Sequence, residues 1–288
     1  MQPIFFLYAK TLTNQQAVNF AEKTANQLLG LCHYLDYSIA FFTGELNAEA
    51  VQQANHLRAD YSLLEVIPSL EQPGLLVMDM DSTAIKIECI DEIAKLAGSG
   101  ENVAAITAAA MRGELDFEQS LRKRVGTLAN SPEEILQKVR ENLPLMDGFE
   151  TLIVELKKYG WKTAIASGGF DYFADYLKAN YGLDEAVANK LEIVDGQLTG
   201  NLLGQVVHAE YKAETLQRLG HEFSIPKQQW VAVGDGANDL LMLKMASLGV
   251  ALHAKPKVQE QAKFVVNFGD LGALAVLLNA RKLFNELN

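Results

Sequence analysis

Short apolar runs that end abruptly in small and acidic residues recur along this chain, and each is followed by a stretch with helical spacing. The sharpest is Leu75-Leu76-Val77-Met78, bounded by Pro73-Gly74 and followed by Asp79-Met80-Asp81-Ser82-Thr83. A run of that length between turn residues reads as a buried strand, which places its acids at the carboxyl end. Ala164-Ile165-Ala166 runs likewise into Ser167-Gly168-Gly169-Phe170, and Val231-Ala232-Val233 into Gly234-Asp235-Gly236-Ala237-Asn238-Asp239. Strands alternating with helices predict an α/β fold with a parallel sheet covered on both faces. Such sheets bind ligands beyond the carboxyl ends of their strands.

Residues 1 to about 70 read as a separate small α/β unit. The pattern predicts a strand from Pro3 to Tyr8, a helix from Asn14 to about Leu29, strand-like alternation from His33 to Phe42, a helix from Ala48 to about Arg58 and a strand from Ser62 to Ile67. The unit has no ligand cluster, Gly-rich phosphate loop or evident nucleophile, so packing or dimerisation is its expected role, with effector binding the alternative. Pro68 to Gly74 reads as a linker.

After Thr83 the spacing is helical: Cys89 to Leu96, Glu101 to Met111, Phe117 to Leu128 and Pro132 to Asn142, punctuated by Gly98, Gly113 and Ser131-Pro132. A helical cap inserted after the first core strand is expected, able to exclude water and select substrate. From Asp147-Gly148 the alternation resumes. It predicts a helix to Tyr159, a strand Thr163 to Ala166, a helix from Phe170, a hairpin turning at Asp195-Gly196 and a helix around Lys212 to Leu219. A strand Trp230 to Val233, a helix from Asn238, short strands at Gly249 to Ala251 and Phe264 to Val266, and a helix from Leu271 follow. The expected division is 1–70 for the N-terminal unit, 74–86 and 147–288 for the core, and 87–146 for the cap.

With 288 residues, 49% of them hydrophobic, the chain is long enough for about two domains and at least one full core. Its net charge of -11 argues against a nucleic-acid partner, and an anionic substrate then needs a local positive pocket. Cys32 and Cys89 lack metal-site spacing and read as thiols in a reducing compartment. Phe5-Phe6-Leu7-Tyr8 has no basic leader and no apolar stretch is long enough to cross a bilayer, so a cytoplasmic protein without a membrane partner is expected.

Asp79 and Asp81 are two apart on a strand, so their carboxylates project into the same crevice. Alone, such a pair reads more readily as a turn acid at Asp79 and a helix cap at Asp81. Ser167 and the glycines after it offer a hydroxyl and backbone N–H groups to an anion at a helix start, though most such sequences are plain turns. Lys212 by itself is as readily a solvated surface charge. Asp235 at a strand tip suits Mg²⁺ as an oxygen ligand, while Asn238-Asp239 can instead cap the next helix.

Taken in order, Asp79-x-Asp81-Ser82-Thr83, Ser167-Gly168, Lys212 and Gly234-Asp235-Gly236-x-Asn238-Asp239 resemble the four signatures of the haloacid-dehalogenase-like hydrolases. The Ser82-Thr83 ending, the helical cap and Phe117-Glu118-Gln119-Ser120-Leu121-Arg122-Lys123-Arg124 resemble the phosphoserine phosphatase branch of that superfamily. The likeness runs from about Gly74 to the C-terminus, and the N-terminal unit is similar to small amino-acid-sensing modules of the ACT type.

The resemblance implies a Rossmann-like parallel sheet with an inserted cap, and hydrolysis of O-phosphoserine to serine and phosphate through an aspartyl phosphate, the last step of serine biosynthesis. It implies Asp79 as nucleophile and Asp81 as proton donor to the leaving oxygen, then as base for water. Mg²⁺ would be held by Asp79, the backbone oxygen of Asp81 and Asp235, with Asp239 in support. Ser167, the Gly168 N–H and Lys212 would hold phosphoryl oxygens, with Asn238 nearby. Glu88 would face the substrate ammonium and Arg124 its carboxylate, with Met111 and Phe117 closing the pocket. On the residues alone, Glu88 reads more readily as a first-turn helix acid and Arg124 as a member of a solvated basic run. The alternatives are a phosphotransferase that delivers the phosphoryl group to another alcohol, a phosphatase for another small phosphate ester, and a non-catalytic amino-acid-binding protein. A homodimer is a candidate assembly.

Overall fold

A computed structural model describes residues 2–65 and 68–287. The N-terminal unit contains β1 (Ile4–Ala9), α1 (Asn14–Thr24), β2 (Gln27–Tyr34), β3 (Tyr37–Thr43), α2 (Ala48–His56) and β4 (Asp60–Leu63). Its sheet order is β2-β3-β1-β4 with every pair antiparallel, the ferredoxin-like βαββαβ arrangement. Alternation along β1 sends Phe5, Leu7 and Ala9 to the face covered by α1 and α2, and Phe6 and Tyr8 to the opposite face.

Three expectations for this unit change. The first helix stops at Thr24 because Ala25 turns left-handed at φ 53°, and the leucines read as its continuation begin β2. The alternation from His33 to Phe42 belongs to two strands that fold back at Leu35-Asp36, with Leu35 at φ 53°. The last strand starts at Asp60 and ends at Leu63, and Val66 and Ile67 of the expected strand lie outside the described residues.

The larger sheet has β5 (Leu75–Met78) in its middle. Helices α3 (Cys89–Leu96), α4 (Gly100–Met111), α5 (Phe117–Gly126) and α6 (Glu134–Glu141) follow as an insertion, and α7 (Phe149–Lys158) returns the chain to the core. The remaining elements are β6 (Lys162–Phe170), α8 (Asp171–Tyr181), β7 (Glu185–Val194), β8 (Gln197–Leu203), α9 (Ala209–Glu222), β9 (Trp230–Gly234), α10 (Leu240–Met245), β10 (Leu248–Leu252), α11 (Pro256–Gln259), β11 (Phe264–Val266) and α12 (Gly272–Leu287). Sheet order is β11-β10-β9-β5-β6-β7-β8, parallel throughout except for the β7–β8 hairpin. That hairpin turns at Asp195-Gly196, where both residues take positive φ, as a two-residue turn matching strand twist requires. β6 continues past Ala166 through Ser167-Gly168-Gly169, with irregular pairing to β7 there, so the anticipated turn is a distorted strand end.

The two ends of the helical insertion lie side by side. Ile85 bridges to Leu145, the Lys86 N–H donates to the Pro144 carbonyl and the Met146 N–H to that of Ala84.

The N-terminal sheet is fixed to the core through its Phe6/Tyr8 face. Phe6, Tyr8, Tyr37, Ile39 and Phe41 share one apolar cluster with the core. Polar contacts ring it. Asp60 accepts N–H groups of Asn267 (2.7 Å), Phe268 (3.1 Å) and Gly269 (2.7 Å), and the Tyr37 hydroxyl donates to Asp270 (2.8 Å). Among the described residues, no helix is long and apolar enough to cross a membrane.

Candidate active site

Because β6 and β9 flank β5 in parallel, with Met78 opposite Ile165 and Val233, the three polar strand tips converge. The Asp79 N–H prolongs the ladder by donating to the Val233 carbonyl at 3.0 Å. Its carboxylate is oriented through Oδ1, which accepts the Met80 N–H (2.7 Å) and faces Lys212 Nζ (2.9 Å). Lys212 also donates to Asp239 Oδ1 at 2.7 Å, and Asp239 Oδ2 accepts the Gly236 N–H at 2.9 Å. Gly234 makes this possible, since a Cβ there would lie 2.3 Å from Asp239 Cγ. Burial works against the Lys212 charge, but Asp239 and Asp79 outweigh it and hold the ammonium above its usual range.

Asp81 is held by one oxygen only. Oδ2 accepts the Cys89 N–H at 3.3 Å, at the start of α3, while Oδ1 is buried with no partner. Burial pushes its carboxyl well above the usual range, with Glu88 and Asp79 acting in the same direction. Ser82 then adopts φ 56°, a left-handed conformation uncommon for non-glycine residues. The hydroxyls of the Asp79-to-Thr83 segment hold other acids: Ser82 Oγ donates to Glu88 Oε1 (2.7 Å) and Thr83 Oγ1 to Asp235 Oδ1 (3.2 Å).

Asp79, Asp235 and Asp239 each bring one carboxylate oxygen within 4.8 Å of the others. Burial, with Asp79, Asp239 and Glu88 nearby, pushes Asp235 up to about 7. Burial and Asp79 push Asp239 up to about 6 although Lys212 pulls the other way. The site thus carries more negative charge than its own lysine neutralises, and its all-oxygen donor set fits a hard divalent cation. The Asp81 side chain lies outside this trio.

A cleft of about 410 Å³ opens between these tips and the helical insertion. Asp79, Asp81, Glu88, Ser167, Gly168, Asp235 and Asn238 line its core side, and Thr107, Met111, Phe117, Ser120 and Arg124 the helical side. Lys212 and Asp239 are absent from the lining; both are 0% exposed and sit behind Asp79. Met111, at 70% exposed, marks the mouth. Phe117 presses on Gly168, where a Cβ would lie 2.8 Å from its Cζ. The buried Asn189 pins this strand end, donating to the Gly168 carbonyl and accepting the Val207 N–H, each at 2.8 Å. Ser167 Oγ accepts the Gly169 N–H at 2.9 Å, which leaves its own proton for a ligand. Burial raises the Glu88 carboxyl, and the Ser82 hydrogen bond works against that. Burial also disfavours the Arg124 charge, with Asp91, Glu88 and Asp81 opposing, and Arg124 Nε is buried without a partner.

The sequence alone assigned no site role to Thr83, although it stands in the quoted signature, nor to Cys89, Asn189 and Thr107. Cys89 acts through its main chain and Asn189 through a contact spanning 21 residues to Gly168, neither of which leaves a mark on local pattern. Thr107 did leave one, a lone hydroxyl within an alanine-rich helix.

The haloacid dehalogenase-like hydrolase family model matches residues 74–247. A phosphoserine phosphatase of Haemophilus influenzae is 56% identical over 278 residues, covering 96% of this chain and 88% of that relative. The unliganded crystal structure of a probable phosphoserine phosphatase from Vibrio cholerae superposes with a TM-score of 0.90 at 49% identity, covering 98% of this chain and 88% of that one. A structure described as a phospho-aspartyl intermediate analogue of phosphoserine phosphatase matches with a TM-score of 0.65 at 40% identity, over 75% of this chain and 100% of that one. The polar strand tips, the helical insertion above them and these relatives agree: the chain belongs to the haloacid dehalogenase-like hydrolases and, within them, to the phosphoserine phosphatase family.

Proposed function

We infer that this enzyme hydrolyses O-phosphoserine to serine and phosphate through an aspartyl phosphate. The observation that carries this reading is one cleft lined by Asp79 and Asp81 at the strand tip and by Glu88 and Arg124 beside them. A zwitterionic amino acid bearing a phosphate matches that set, ammonium to Glu88 and carboxylate to Arg124. The relative captured as a phospho-aspartyl analogue supports the covalent route.

Asp79 has one oxygen tied to Met80 and Lys212, which leaves the other to attack phosphorus. As the phosphorus–oxygen bond of the ester breaks, Asp81 gives its proton to the departing serine oxygen. Burial beside two other acids keeps Asp81 protonated for that step. The Asp81 carboxylate then takes a proton from water, whose oxygen attacks the phosphorus of the intermediate and restores Asp79. The Ser167 hydroxyl, the Gly168 N–H and Asn238 hold phosphoryl oxygens, and Lys212, with two of its three protons on carboxylates, supplies charge from behind Asp79. Mg²⁺ would be held by Asp79, Asp235 and the Asp81 backbone oxygen, with Asp239 supporting; when bound it offsets the charge of the phosphoryl oxygens.

Phosphate release from O-phosphoserine, run beside phosphothreonine, a sugar phosphate and an aryl phosphate, tests the assignment. Strong preference for phosphoserine is the expected result. Glu88→Gln is expected to raise KM for phosphoserine about tenfold or more, the scale of a lost hydrogen bond to a charged group, and to leave an amine-free ester largely unaffected. Preference for the sugar or aryl ester would keep the core chemistry but remove Glu88 and Arg124 from substrate binding.

A further inference from the structure

The strand that supplies Ser167 and Gly168 leaves its ladder where those residues stand. Ala166 pairs with Val187 and Phe170 with Asn189, so Ser167, Gly168 and Gly169 of β6 lie opposite Ala188 alone of β7. Extra residues on one strand bend it and re-aim its groups, and such bulges recur next to active sites. They also turn main-chain groups out of the ladder, which must then find other partners. Side chains provide them here. Asn189 Nδ2 donates to the Gly168 carbonyl at 2.8 Å, and the Gly169 N–H donates to Ser167 Oγ at 2.9 Å. Both ends of the Gly168–Gly169 peptide are thereby fixed, and the Ser167 oxygen is engaged as an acceptor while its proton stays free.

The oxygen of the same amide is engaged as well. Asn189 Oδ1 accepts the Val207 N–H at 2.8 Å, and Val207 leads into α9, which carries Lys212. A carbonyl requires the amide's NH₂ and an N–H requires its oxygen, so these two partners set the orientation of the group. One side chain, 2% exposed, thus ties the bulge bearing Ser167 and Gly168 to the entry of the helix whose lysine lies 2.9 Å from Asp79. Asn189 does not line the cleft, so it acts through the main chain that it holds.

Resting on the phosphoryl-transfer reading above, we propose that Asn189 is a positioning residue that aims the Ser167 hydroxyl and the Gly168 N–H at the phosphoryl group. Donors of this kind owe their effect to placement before the ligand arrives. Glu88 and Arg124, assigned to the amino-acid part of the substrate, stand at the start of α3 and within α5. The effect of Asn189 therefore follows the phosphoryl group and not the alcohol that carries it.

The full-length wild type, Asn189→Leu and Asn189→Asp are assayed with Mg²⁺ on O-phosphoserine and on an aryl phosphate, across the pH range in which the wild type is active. Inhibition by inorganic phosphate and thermal unfolding are recorded for each. Asn189→Leu keeps the bulk and removes both hydrogen bonds. It is expected to lower kcat/KM for the two esters by the same factor, about a hundredfold, as for a small misplacement of reacting groups, and to weaken inhibition by phosphate. Asn189→Asp is the sharper probe. Protonated, its carboxyl donates to the Gly168 carbonyl and accepts the Val207 N–H as the amide does; ionised, it has no proton to donate. Its activity relative to the wild type is expected to be highest at the acid end and to fall as pH rises. If the leucine variant does not fold, this ratio makes the comparison within one folded protein. A melting temperature that falls while kcat/KM and phosphate inhibition stay at wild-type values overturns the proposal, as does a loss confined to phosphoserine or an Asn189→Asp ratio that does not change with pH. A wild type that hydrolyses the aryl ester but not phosphoserine overturns the substrate reading instead, a result visible before any variant is made.

Discussion

Asp79→Asn is expected to lower phosphate release by on the order of a millionfold, the scale seen when a covalent nucleophile is removed. The amide keeps the shape of the side chain, and its oxygen can still accept the Met80 N–H and Lys212, so the strand tip stays in place. It cannot attack phosphorus. Intact-mass spectrometry of acid-quenched enzyme should show a phosphorylated protein for the wild type and none for the variant, with thermal unfolding little changed. Turnover within tenfold of the wild type would remove Asp79 from the covalent step.

Lys212→Ala carries the second large effect, because one ammonium serves two acids. Removing it leaves Asp239 fully buried with the Gly236 N–H as its remaining donor, and leaves Asp79 facing Asp239 without an intervening charge. Turnover is expected to fall a hundredfold or more, as for loss of a preorganised electrostatic contact. Stability is expected to fall by about 3–5 kcal/mol, as when one partner of a buried pair is deleted. Adding Asp239→Asn separates the two losses: urea unfolding should recover part of the stability, while turnover stays low. Recovery of turnover in the double variant would reduce Lys212 to a structural counter-ion.

Both effects trace to features that were legible in the chain for a physical reason. A strand buried on both faces must be apolar without interruption, so Leu75–Met78 and Trp230–Gly234 stand out, and the first polar residue after each marks the tip. The positions of Asp79 and Asp235 follow from that. What stayed hidden depends on partners far along the chain. Thr83 reaches Asp235 across 152 residues, and nothing near Thr83 encodes that contact. The same holds for the place of Lys212, legible as one residue of an acid-bearing set but not as a fully buried charge between Asp79 and Asp239. In the N-terminal unit the reversal at Leu35-Asp36 lacks the glycine or asparagine that signals a hairpin, so two strands read as one. Leu28 and Leu29 prolonged an apolar rhythm past the point where Ala25 ends the helix.

The seam between the N-terminal sheet and the core has a consequence for how the molecule comes apart. Phe6, Tyr8, Tyr37 and Phe41 belong to the same apolar cluster as the interior of the large sheet, and Asp60 satisfies three consecutive main-chain N–H groups of the loop before α12. Opening the small sheet alone would expose those rings and strip that loop of its acceptor. The loop continues into Leu271, whose N–H is bonded to the Asp147 carbonyl, and Asp147 pairs with Lys86 where the helical insertion leaves the core. The two sheets are therefore expected to unfold as one cooperative unit, melting in a single calorimetric transition and giving their slowest-exchanging amides the same opening free energy.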